Sequence, residues 1–144
     1  MLIGRGPIRT ASGPTAYRHF KLNVTAGKTT DPFVYEIEVA ETAAGADKFT
    51  GGTAGGNFPT PSNAFDNNTS SNTSSATAPR YVTYDLGSGN EIVPYEYRMW
   101  GTSFASGQPK DWTFEGSNDG TNWDVLDTQS GVTWSTSEYK TFVI

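Results

Sequence analysis

The chain has 144 residues, a length that suits one domain with its own core. Its net charge of −5 and the lack of any basic run argue against nucleic-acid partners, and an acidic surface is repelled by anionic membranes. With no cysteine, a disulfide framework and a thiolate metal site are excluded, and no segment is apolar for long enough to span a bilayer. The 19 aromatic residues (4 Trp, 7 Tyr, 8 Phe), with 16 Gly and 8 Pro, predict an all-β sandwich with little helix.

Residues 1–15 are rich in Gly, Pro and small side chains, carry Arg5 and Arg9, and read as an arm or linker ahead of a domain over 16–144. Tyr17–Ala26 alternates polar and apolar residues and predicts a strand. Phe33–Val39 predicts a second, with Phe33, Tyr35, Ile37 and Val39 on one side and Glu36 and Glu38 on the other. The small, glycine-rich stretch Ala43–Pro61 lacks G-x-G-x-x-G spacing and precedes no helix, so a phosphate cradle is not expected. Asn63–Phe65 begins a compact turn, and Asn67–Ala78 is a Ser/Thr/Asn loop. Strands are predicted over Tyr81–Leu86, over Ile92–Trp100 with Tyr95, Tyr97 and Met99 on one face, and over Tyr139–Ile144.

The most patterned stretch is PKDWTFEGSNDGTNWDVLDT, Pro109–Thr128. Trp112, Phe114 and Gly116 share one side of a strand, Asp119-Gly120 supplies the positive backbone dihedrals of a tight reversal, and Trp123 and Val125 resume the alternation. A β-hairpin follows, with Trp112, Phe114 and Trp123 expected in or beside the core. The run resembles the central hairpin of discoidin-like domains, the coagulation-factor C-type modules and their galactose-binding relatives, versions of which sit on bacteriophage tail proteins. The resemblance implies a jelly-roll β-sandwich. Tyr17–Leu22 and Tyr35–Val39 resemble strands that stand near the end of such domains, so the chain resembles a circular permutation of the family over roughly 17–144.

An enzyme is not expected. His19 is the only histidine and reads as a solvent-facing strand residue; neither G-x-S-x-G nor H-E-x-x-H occurs. The resemblance instead implies a non-catalytic carbohydrate-binding or adhesion module for cell-surface glycans. It would sit on a virion, as a tail fibre or decoration protein, with the arm joining other virion proteins. The first residues, MLIGRGPIRT, lack the apolar core of a signal peptide, which suits synthesis in a host cytoplasm. The alternative is a structural attachment or assembly domain that binds no sugar.

Two constellations could carry binding chemistry. Asn63–Ser71 (NAFDNNTSS) gathers a carboxylate, amides and hydroxyls, the hard oxygens that calcium takes from a flexible loop; the same composition also suits an Asx-turn without metal. The segment resembles the family's A-F-D-G-N-x-x-T loop, and Tyr35–Glu38 resembles its A-E-I-E strand. The resemblance implies a structural calcium held by the carbonyls of Tyr35 and Asn63, the carboxylates of Glu36 and Asp66, Asn68 and Ser71. Asn67 stands where the family has glycine, and Thr73 where it has tryptophan. The second constellation is a set of rings with polar neighbours, Arg98, Trp100, Phe104, Gln108 and Trp134, which could stack a sugar and bond its hydroxyls or could belong to the core. Tyr95 and Tyr97 are expected in the core.

Overall fold

The computed structural model describes residues 13–103 and 106–144. Most of the expected arm, and Phe104 of the expected ring set, therefore lie outside the described residues. Among the described residues eight strands form: β1 (His19–Gly27), β2 (Glu36–Ala40), β3 (Thr53–Gly56), β4 (Arg80–Asp85), β5 (Glu96–Gly101), β6 (Pro109–Ser117), β7 (Asp124–Gln129) and β8 (Glu138–Val143). One 3-10 turn, Pro61–Ala64, lies between β3 and β4. No helix among the described residues is long and apolar enough to cross a membrane.

The strands make two antiparallel sheets, one of five in the order β3-β4-β1-β6-β7 and one of three in the order β2-β5-β8. Alternation decides which side chains meet between them. The large sheet contributes Phe20, Leu22 and Val24, Val82 and Tyr84, and Trp112 and Phe114; the small sheet contributes Ile37, Val39, Tyr97 and Met99. All are buried, so the chain is the all-β sandwich that its pattern predicts. Tyr97 stacks between Phe114, 4.2 Å away, and Phe142, 4.9 Å away, and Trp112 meets Phe142 edge-on. The Trp112 indole N–H donates to the Tyr97 hydroxyl at 2.9 Å, which donates to the Asp127 carboxylate at 2.6 Å. Both polar tips of the aromatic core are thereby satisfied.

The SNDG turn closes as its residues dictate. Gly120 has φ 69°. Asp119 accepts from the backbone of Thr121 and Asn122 and from the Asn122 amide, which holds its carboxyl well below the usual range. Asn118 accepts from the Arg18 N–H and donates to the Ala16 carbonyl, tying the hairpin to the entry of β1.

The structure corrects three expectations. Trp123 is only half-buried and Val125 is exposed, because Leu126 is an extra residue in β7. Phe114 pairs with Asp127 and Glu115 with Val125, so the bulge puts Asp127 on the core side and turns Val125 outward. Tyr95 is exposed, since β5 begins only at Glu96. Phe33 and Tyr35 pack edge to face, half-buried, while Val34 takes the buried place. Thr73 causes this: its N–H donates to the Val34 carbonyl, and its hydroxyl accepts from the Val34 N–H. In addition, the glycine-rich stretch, for which the sequence suggested no element, supplies β3, an edge strand that its poor β propensity conceals.

Candidate functional site

Glu36 lies on the outer face of the small sheet, yet it is fully buried. The 63–71 loop covers it. Asn67 adopts φ 55°, the left-handed turn that lets an asparagine replace glycine there. The Asn68 N–H then donates to Glu36 Oε2 at 3.1 Å and to Asp66 Oδ1 at 3.0 Å. Ser71 Oγ donates to Asp66 at 2.7 Å. Four of the six expected ligating residues, Glu36, Asp66, Asn68 and Ser71, are thus brought together. Asn63 opens the loop and spends its amide on the Asn72 carbonyl, and the Tyr35 ring rests on Phe33.

The electrostatics of this cluster are unbalanced. Glu36 Oε1 is buried and has no hydrogen-bond partner among the described residues. Burial first, then the Asp66 and Asp47 carboxylates, push Glu36 up to about 8, against the pull of the Asn68 N–H. A buried carboxylate with an idle oxygen beside a second carboxylate suits a hard cation. The described residues contain no group of three or more His, Cys, Asp or Glu side chains placed for a metal. The remaining oxygens would come from hydroxyl, amide and carbonyl groups, a donor set that fits calcium better than zinc.

The expected ring set does not form one pocket. Arg98 is held on the outer face of the small sheet by Glu38 at 3.2 Å and the Gly45 carbonyl at 2.6 Å. Trp100, on the same face, meets Tyr139 edge-on at 5.1 Å. Gln108 is 1% exposed, and its side-chain amide has no hydrogen-bond partner among the described residues, so it does not present that amide to solvent. Trp134 lies at the end of the sandwich, its N–H donating to the Pro109 carbonyl at 2.9 Å and its ring against Gly101. With Val132, Thr133, Lys28 and Lys110 it lines a hollow of about 290 Å³.

Comparisons with protein-family models, curated proteins and solved structures found no match.

A larger hollow, of about 530 Å³, lies on the outer face of the five-stranded sheet and is lined by His19, Lys21, Tyr81, Thr83, Asp85 and Trp123, with Gly56 and Gly120. Sequence reasoning missed it because its residues come from three separate strands and a turn. The one available signal was the polar half of the β1 alternation, His19-x-Lys21-x-Asn23, which faces outward with β4 between it and glycine-rich β3.

Proposed function

We propose that the chain is a non-catalytic glycan-recognition domain of the discoidin-like, galactose-binding-like kind, a jelly roll in circularly permuted order. The Trp134 hollow is the observation that carries this reading. An indole fixed by its own N–H bond forms an apolar floor, and the Lys28 and Lys110 side chains beside it are able to bond sugar hydroxyls or a sugar carboxylate. Placement on a bacteriophage virion, as a tail-fibre or decoration domain contacting cell-surface glycans, rests on the resemblance of the 109–128 hairpin. Binding without catalysis rests on the sequence, whose single histidine and missing cysteine leave few nucleophile–base pairs.

A structural calcium belongs to the same proposal. The Glu36 and Asp66 carboxylates would hold it, with Asn68, Ser71 and the carbonyls of Asn63 and Tyr35. Bound there, it would neutralise the carboxylate pair and clamp the 63–71 loop to β2. Native gels cast with bacterial surface polysaccharides test the function: the chain should be retarded by at least one while releasing no reducing ends. Unretarded migration in every gel would count against glycan recognition, and reducing-end release would count against a pure binder.

A second reading, a structural assembly domain, is favoured by one observation. Tyr95, Val143 and Ile144 are exposed together at one end of the small sheet, where the Ile144 N–H donates to the Tyr95 carbonyl. Sedimentation of the intact chain and of Val143→Asp separates the readings, since an assembly surface would give oligomers that the substitution dissolves.

A further inference from the structure

We propose that the outer face of the five-stranded sheet holds a second saccharide site, taking a neutral hexose unit in the trough between Trp123 and Tyr81. The inference rests on the reading of the domain as a glycan binder and assigns a site separate from Trp134.

Strand register builds the trough. Gly55, Thr83, Lys21 and Glu115 form one row across β3, β4, β1 and β6; Asp85, His19 and Ser117 form the next. The hairpin turn folds over one side, setting the Trp123 ring 4.4 Å from Lys21 Nζ and Gly120 beside the His19 ring. Tyr81, 37% exposed, joins the lining from β4. On the β3 side glycine keeps the floor open: a Cβ at Gly55 would stand 2.9 Å from Thr83 Oγ1.

Three hydrogen-bonding groups that line this trough are idle. The Tyr81 and Thr83 hydroxyls and the Trp123 indole N–H bond to no other described residue. Two aromatic rings with hydroxyl and N–H groups between them match a pyranose, which has apolar C–H faces and a rim of hydroxyls. The volume lies within the range of small-ligand sites, about 300–1,000 Å³.

The charges select a neutral ligand. Lys21 is bound to Glu115 at 2.6 Å, and Arg18 makes a two-point bond with Asp85 at 2.7 and 2.8 Å. Lys21, the lysine of the lining, is matched by Glu115, Arg18 beside the lining is matched by Asp85, and the whole chain is acidic, so the trough offers an anionic sugar no unpaired lysine or arginine.

Amide and indole NMR signals of the intact chain, titrated with glucose, galactose and mannose and with glucuronate as the anionic control, test the site. At least one neutral hexose should shift the Trp123 indole signal and the Thr83 and His19 amides saturably, and glucuronate should not. Trp123→Ala should weaken that binding about tenfold or more. Gly55→Val, whose side chain would crowd the lining Thr83 from an edge strand and leaves Trp123 in place, should do the same and guards against misfolding of the first variant. Shifts confined to Trp134 and its neighbours, insensitive to both substitutions, would overturn the second site and leave the glycan reading standing. No shift at either tryptophan with any sugar would overturn both.

Discussion

The carboxylates of Glu36 and Asp66, far apart in sequence, share a single donor, the backbone N–H of Asn68. Asp66 has a second donor in Ser71 Oγ, but the other oxygen of Glu36 has no partner among the described residues, and burial beside Asp66 holds Glu36 in its protonated form up to about 8. A bound cation would take the place of that proton and crosslink β2 to the 63–71 loop. A ligand that binds only the native state stabilises it by about 2.7 kcal/mol at a hundred times its dissociation constant. Chelator should therefore lower the melting temperature by several degrees and calcium should restore it, while Asp66→Ala should remove the sensitivity. Identical melting curves in calcium and in chelator would remove the cation from the account.

The same pair sets a pH dependence in the metal-free chain. The folded state raises Glu36 to about 8 from an ordinary value of 4.5. An acid raised on folding favours the fold while it stays protonated. Its contribution is full below about 4.5 and is lost as pH rises through about 8. In chelator, denaturant midpoints should therefore fall across that window, and Glu36→Gln should flatten the slope. A wild-type midpoint that rose between those pH values in step with Glu36→Gln would show that Glu36 ionises freely.

The Trp112–Tyr97–Asp127 chain of hydrogen bonds makes the core sensitive to small changes. Tyr97→Phe keeps the ring stack with Phe114 and Phe142 but leaves the Trp112 N–H without its acceptor and Asp127 without that donor. The loss should be about 1–3 kcal/mol, read by urea unfolding. Trp112→Ala also opens a cavity and should cost about 3–5 kcal/mol. A Tyr97→Phe variant as stable as wild type would mean that water replaces the hydroxyl at no cost.

Gly101 positions Trp134. A Cβ at Gly101 would run into the indole ring. Gly101→Ala should push Trp134 outward, shift the tryptophan emission to the red and weaken any glycan binding that depends on this ring. An unchanged emission spectrum would show that the ring makes no close contact with Gly101.

Much of the fold is legible wherever one face is apolar and the other polar. Phe20, Leu22 and Val24 in β1, and Trp112 and Phe114 in β6, alternate cleanly because one side meets the core and the other solvent. The pattern fails where tertiary contacts intervene. The bulge at Leu126 changes the face of Trp123, and no local signal announces it. Glu36 reads as an outward carboxylate, which its strand position bears out, but the loop that buries it lies some thirty residues downstream. β3 hides in a glycine run, since an edge strand needs only its backbone to pair with β4. In the candidate sites, composition pointed to the Asn63–Ser71 loop. The expected ring set mixes residues from different layers, because an aromatic in a sandwich reads alike whether it faces core or solvent. The trough on the large sheet is assembled by register across β3, β4, β1 and β6, which only the folded sheet displays.

A glycan array probed with the intact chain, wild type beside Trp134→Ala and Trp123→Ala, tests the central claim most directly. The account predicts that wild type marks a restricted set of saccharides and that at least one of the two substitutions erases a subset of those signals in a chain that still melts cooperatively. A wild-type chain that marks no glycan, or three proteins with indistinguishable profiles, would contradict recognition through these indole platforms.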